Sequence, residues 1–152
     1  MRVDREHQLY GKIARYLQLQ YPSVIYRFDI AADLKLTMGQ AAKHKRLHPR
    51  RGYPDLFIAE PRQVATDKKC GGVELGRSDN GWHLYHFAGL YLELKAEGNS
   101  PFKKDGTLKK DEHLEEQDEM LENLRAKGYK AEFAVGFEEA KQIIDDYLGN
   151  NE

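Results

Sequence analysis

Residues 89–95, Gly-Leu-Tyr-Leu-Glu-Leu-Lys, alternate with a period of two. In an extended strand this puts Leu90, Leu92 and Leu94 on one face and Tyr91, Glu93 and Lys95 on the other. An unbroken leucine face has to lie against a hydrophobic layer. The reverse face carries a carboxylate and an ammonium, which are costly to bury unless paired or put to use. No other segment limits the fold so tightly: the chain needs a sheet with helices packed on it and polar groups held inside.

The rest of the chain supplies those elements. Leu9, Ile13, Tyr16 and Leu17 recur at helical spacing, so a helix runs from about Arg5 to Gln20, with Asp4 as N-cap and Pro22 beyond its end. Val24–Phe28 is β-branched and aromatic and reads as a strand. Thr37 caps a helix to Leu47 with a basic outer face. Gly52-Tyr53-Pro54 is a turn leading into a short apolar strand, Asp55–Ala59; Pro54 suits a strand's first residue or an edge. Residues 61–81 carry Pro61, Gly71, Gly72, Gly76 and Gly81 among charges and read as a long loop or hairpin excursion. Trp82–Phe87 is a further strand. After a lysine-rich loop turning at Asp105-Gly106, Asp111–Lys127 is a helix with acid in its first turn, base in its last and Gly128 as its stop. Tyr129, Ala131, Phe133 and Val135 share one face of a strand. Phe137, Ala140, Ile144 and Tyr147 line the inner face of a closing helix that ends at Leu148. The order α, β, α, β, long loop, β, α, β, α describes an α/β fold, a central mixed sheet flanked by helices. With 152 residues, one domain over residues 1–152 is expected, with 62–87 as an excursion from it.

The formal net charge of −1 counts, taken alone, against a nucleic-acid partner. It is a cancellation between segments. Lys43–Arg51 holds five Lys or Arg and no acid, whereas Asp111–Glu122 holds seven Asp or Glu and no base. The one cysteine, Cys70, excludes an internal disulfide and suits a reducing compartment. No apolar run follows Met1–Glu6, so no secretory leader is expected. The longest apolar stretch, Phe87–Leu92, is too short to span a bilayer. A cytoplasmic protein with no membrane partner is expected.

Several polar residues occupy positions where a plain core would place apolar ones. Glu6 lies on the inward stripe of the first helix, three before Leu9 and seven before Ile13; Gln117 falls between Leu114 and Leu121 on the inward stripe of the acidic helix. Taken singly, each has a plainer explanation: a Glu93–Lys95 salt bridge, with Glu6 and Gln117 at frayed helix ends. Together they point to a site. Asp55 and Glu93 on adjacent strands would form a small all-oxygen site suited to Mg²⁺ or Mn²⁺. Lys95, two residues on, points to the same side, where it can steady a hydroxide or developing phosphorane charge. The arrangement fits metal-assisted phosphodiester hydrolysis.

Pro54-Asp55 followed by Glu93-x-Lys95 on a later strand resembles the PD-(D/E)xK nuclease superfamily. The surrounding residues narrow this: Glu6, Arg51-Gly52-Tyr53-Pro54-Asp55-Leu56-Phe57, Tyr91-Leu92-Glu93-Leu94-Lys95, Gln117 and Gly128-Tyr129 resemble the VRR-NUC family (virus-type replication-repair nucleases) over nearly the whole chain, in the short standalone form of bacteriophages. The excursion from Arg62 to Phe87 departs from compact members by separating Asp55 from Glu93 more widely. The resemblance implies a restriction-endonuclease-like core. It implies Asp55 and Glu93 as metal ligands with the Leu94 carbonyl, and Glu6 binding a metal directly or through water. It implies Lys95 positioning water and Gln117 orienting Lys95 or that water. It implies Mg²⁺, replaceable by Mn²⁺, a branched or double-stranded DNA substrate, Holliday-junction resolvase-like cutting by a homodimer, and a bacterial host cell as the setting. A general or restriction-type nuclease, or a non-catalytic junction-binding module, remains open on the same residues.

The basic stretches border the proposed site in sequence: Lys43, Lys45, Arg46, Arg50 and Arg51 run into Asp55, and Lys103 and Lys104 leave from Lys95. They are candidate phosphate contacts. His44 and His48 have the spacing of a zinc pair but sit among cations that repel a metal. His83 and His86 read as strand or surface residues. Cys70, beside Lys68 and Lys69, has no argued base. Asp105-Gly106 is a turn rather than a calcium loop.

Overall fold

The computed structural model describes residues 5–30, 34–67 and 71–149; Asp4, expected as a cap, and Lys68, Lys69 and Cys70 lie outside these. The elements are α1 (Arg5–Gln20), β1 (Tyr26–Phe28), α2 (Met38–Leu47), β2 (Leu56–Ile58), β3 (Arg62–Thr66), β4 (Val73–Arg77), β5 (His83–Phe87), β6 (Leu90–Lys95), α3 (Glu112–Ala126), β7 (Lys130–Val135) and α4 (Gly136–Leu148). A four-stranded mixed sheet runs in the order β1-β2-β6-β7, with β6 antiparallel to β2 and parallel to β7. The parallel pair needs a crossover, and α3 supplies it.

The two faces of β6 separate as the alternation predicts. Leu90, Leu92 and Leu94 join Leu56, Ile58 and the apolar stripes of α1 (Leu9, Ile13, Leu17) and α4 (Ala140, Ile144, Tyr147) in one core cluster. Tyr91, with Ala131 and Phe133 of β7, packs on Met120, Leu121 and Leu124 of α3 in a second. The sheet is therefore covered on both sides, and each fully buried leucine contributes about 2 kcal/mol. Helix ends follow local chemistry. Thr37 and Gln40 form a reciprocal capping box on α2. The Asp111 side chain accepts from the Leu114 N–H at 3.0 Å, and Gly128, at φ +94°, ends α3.

The strand expected at Trp82–Phe87 is present as β5 (His83–Phe87). Residues 61–81, expected as a loop or hairpin excursion, form β3 and β4, which pair on either side of β5 in a second, antiparallel three-stranded sheet. All five β4 residues are exposed and its register shifts between Glu74 and Gly76, so the short Val73-Glu74-Leu75 alternation covers no core and is cut off at Gly76. Its neighbour β5 is anchored through Tyr85 and Phe87, which enter the main core. The first strand is also shorter than expected, beginning at Tyr26. The lysine-rich loop is a small hairpin: Phe102 bridges Leu108, and Phe102 packs edge-on against Phe133 with centroids 5.6 Å apart.

Candidate metal centre

The β2–β6 register builds the site. Leu56 pairs with Leu92 and Ile58 with Leu90, so one step further Asp55 stands opposite Glu93, and two steps further Pro54 faces Leu94. Leu90, Leu92 and Leu94 turn both N–H and C=O toward the β2 side, as alternate residues of a ladder do. Pro54 has no N–H to continue that ladder. The Leu94 N–H donates instead to Asp55 Oδ2 at 2.8 Å, and the Leu94 carbonyl leaves on the same edge, beside Asp55. Side chains directly opposite at such a position come within about 5 Å of each other at Cβ, and like charges there repel.

Burial makes that repulsion expensive. Glu93 is only 3% exposed. Burial first, then the Asp55 charge, lift its pKa to about 9, with Glu6 adding to the rise and Lys95 opposing it. Asp55 is also raised by burial, against hydrogen bonds from the Tyr10 hydroxyl and the Leu94 N–H. At neutral pH the metal-free pair therefore retains a proton.

Gln117, 6% exposed on α3, ties the remaining groups together. Its Nε2 donates to Glu93 Oε1 at 2.7 Å, and its Oε1 accepts from Lys95 Nζ at 2.8 Å. Lys95 Nζ also lies 3.7 Å from Glu93 Oε1, the contact that the plainer reading expected. It coexists with the Gln117 bridge, so the plainer reading is part of the site. Gly52 sets the approach of the 50–55 stretch to α3. At φ +78° it lies where a Cβ would come 2.7 Å from the Glu116 carbonyl oxygen, which lets the chain reach Asp55 pressed against the helix beside Gln117.

Asp55, Glu93, Lys95 and Gln117 are thus brought together, and Glu6 is close enough to act on Glu93. Among the described residues no group of three or more His, Cys, Asp or Glu is arranged to hold a metal, so Glu6 does not complete a three-carboxylate cluster. Two features fit a divalent ion all the same. Glu93 Oε2 is buried and meets no N–H or hydroxyl donor; the group that faces this carboxyl is Asp55. Two facing carboxylates beside a backbone carbonyl are also the hard, sparse donor set that Mg²⁺ takes with waters.

Two residues escaped the sequence reading. Tyr10, bonded to Asp55, lies four after Glu6 on α1. His113 Nε2 lies 3.2 Å from Gln117 Nε2, four residues before it on α3. In both cases a helical spacing of four from a singled-out polar residue was the available signal.

The candidate phosphate contacts are less gathered. Lys43, Lys45 and Arg46 are exposed on α2, which buries no residue. Arg50 and Arg51 line a hollow against α3 with Glu116 and Glu119, and Arg51 reaches Glu116 at 4.0 Å. Lys103 and Lys104 are exposed near the hairpin turn and take no part in the site's network among the described contacts. There Asp105 Oδ1 accepts from the Thr107 N–H at 3.0 Å, as a turn requires. The His44 and His48 rings stack 4.7 Å apart, and His83 Nδ1 meets Glu74 Oε1 across strands at 2.6 Å. No described helix is long and apolar enough to cross a membrane.

No family model matches the chain, and no curated protein matches it. A solved structure described as a VRR_NUC domain protein is similar, with 22% identity over 98% of this chain and 92% of that one, and a TM-score of 0.53. At that identity the likeness is one of fold.

Proposed function

We propose that this chain is a metal-dependent DNA endonuclease of the VRR-NUC kind, in the standalone form of bacteriophages. Its activity would be Mg²⁺-dependent, Holliday-junction resolvase-like hydrolysis of branched DNA in the cytoplasm of a bacterial host. The observation that carries this is the half-buried Asp55 set opposite the buried Glu93 by strand register, with Lys95 locked by Gln117 at its side. The fold shared with a VRR_NUC domain protein supports it.

Asp55, Glu93 and the Leu94 carbonyl would hold the ion. Bound there, it would polarise a phosphoryl oxygen and lower the pKa of a water. Lys95 holds its ammonium where a phosphate oxygen or attacking water arrives, and Gln117 removes its freedom to swing away. Glu6 adds negative charge at the mouth, suited to a hydrated cation. In-line attack by water leaves 5′-phosphate and 3′-hydroxyl ends. Two cuts on a near-symmetric junction call for two sites about a two-fold axis, hence a homodimer. Lys43, Lys45, Arg46, Arg50 and Arg51, with Lys103 and Lys104, would meet phosphates.

The test is cleavage of a labelled four-way junction against a matched linear duplex, in Mg²⁺ or EDTA. Mg²⁺-dependent junction cutting that Lys95→Ala abolishes is expected. Equal cutting by wild type and Lys95→Ala overturns the catalytic assignment. Equal cutting of the duplex favours a general nuclease, and salt-dependent binding without turnover favours a binding module.

A further inference from the structure

Beside the strand that presents Asp55 lies a second cavity, of about 360 Å³, within the size range of small-molecule sites. Phe28, Tyr53 and Phe57 form its aromatic walls, Ile30 and Leu34 add aliphatic surface, and Arg27, Asp29, His44 and His48 are its polar lining. It adjoins the metal centre through the backbone: Pro54 contributes to its lining, and the Asp29 N–H donates to the Asp55 carbonyl at 2.8 Å.

Three observations say what it is shaped to hold. Tyr53 is 46% exposed and meets Tyr91 edge-on, 5.6 Å between centroids at 86°, so at least one ring face is left uncovered by Tyr91. Phe57, by contrast, is stacked on Tyr91 at 4.4 Å and forms a fixed wall. Helix α2 buries none of its own residues, so core packing does not account for its placement; what it encloses, through His44, is this cavity. Its exposed Lys43, Lys45 and Arg46 supply cationic charge outside. Flat aromatic walls inside a cationic border are what an unstacked nucleobase on its phosphodiester chain requires.

We propose that this cavity seats an unpaired nucleobase of the DNA substrate, stacked on Tyr53, next to the phosphate at the metal centre. Selection of branched DNA then has a physical source at this site: at a branch point continuous stacking is interrupted, so a base leaves its pair and stack at lower cost than in an intact duplex. The proposal rests on the nuclease reading and names a subsite of it.

The experiment is binding in EDTA, by fluorescence anisotropy. The probes are three branched DNAs differing at one branch-point nucleotide, which is an unpaired 2-aminopurine, an abasic residue or a paired base. The unpaired 2-aminopurine DNA is expected to bind roughly tenfold more tightly than the abasic one, as base–aromatic stacking implies. Its fluorescence should fall as the base stacks. Tyr53→Ala, which removes a half-exposed side chain outside both core clusters, should erase the tenfold difference. Tyr53→Phe, which keeps the ring and loses the hydroxyl contact to Tyr91, should retain it. Equal affinity for the unpaired and abasic DNAs, or a preference that survives Tyr53→Ala, overturns the subsite and leaves the nuclease reading standing. Failure to bind any of the three overturns both.

Discussion

Replacing Glu93 by glutamine should make the metal-free protein more stable and catalytically dead, with a stability gain that grows with pH. The Glu93 pKa is raised from 4.5 to about 9 by burial and by Asp55. A carboxyl whose folded pKa lies above its unfolded value costs nothing below the unfolded value. Above it, the folded state must either hold the proton or bear a buried charge, while the unfolded chain releases it freely. The cost accumulates from pH 4.5 at about 1.4 kcal/mol per pH unit, reaches about 3 kcal/mol at pH 7, and levels off near pH 9. A glutamine has no proton to lose. It can still accept from Gln117 through Oε1 and offers an N–H toward Asp55. Thermal melts of wild type and Glu93→Gln in EDTA, from pH 5 to 8.5, should diverge steadily. At about 3 kcal/mol the gap is roughly 6–12 °C for a chain of this size. Saturating Mg²⁺ should stabilise wild type and close the gap from its side. A gap independent of pH, or a variant less stable than wild type at pH 8, would refute the reasoning, because either means that Glu93 is not forced to carry its proton.

Gln117→Leu should lower activity roughly 10- to 100-fold, the usual effect of removing a residue that orients ligands, while the melting temperature shows whether the fold is kept. Gly52→Ala should destabilise by more than about 1 kcal/mol from its left-handed backbone alone. It should also reduce activity, because a Cβ 2.7 Å from the Glu116 carbonyl oxygen pushes the 50–55 stretch away from α3; denaturation and cleavage assays on one preparation read both. Away from the site, Asp145 accepts from Tyr16 at 2.5 Å, Tyr21 at 2.7 Å and Lys141 at 3.0 Å. Burial pushes its pKa up, but these hydrogen bonds outweigh it and hold the group below 3.8. Its contribution is therefore present above pH 3.8 and lost as pH falls through the lower folded value. Asp145→Asn should cost about 2 kcal/mol at pH 7 and less under strong acid, as urea titrations at several pH values would show.

Much of this architecture was legible in local chemistry. The alternation at 89–95, the cap Thr37 and the stop at Gly128 each act within a few residues, so α1, α2, α3, α4, β6 and β7 follow directly from the chain. β4 was not legible because its two apolar residues, Val73 and Leu75, stand among Gly71, Gly72 and Gly76 and stay exposed: the strand is held by backbone pairing to β5 and not by a buried face. Tyr10 and His113 were missed for a related reason. Each has an ordinary place on its own helix, and only the partner it meets gives it meaning.

The chain on its own determined which faces are apolar, and hence that Glu93, Lys95 and Gln117 point into a volume where polar groups are costly. Hydrophobic periodicity states the side a residue faces but not what stands across from it. The antiparallel register of β2 on β6 placed Asp55 opposite Glu93, thirty-eight positions on in the chain, and the packing of α3 brought the Gln117 amide between Glu93 and Lys95. Pairing register and helix placement are settled by the whole core at once, since sliding β2 by one residue would turn Leu56 and Ile58 out of it. The same packing that buries those side chains holds two carboxylates face to face.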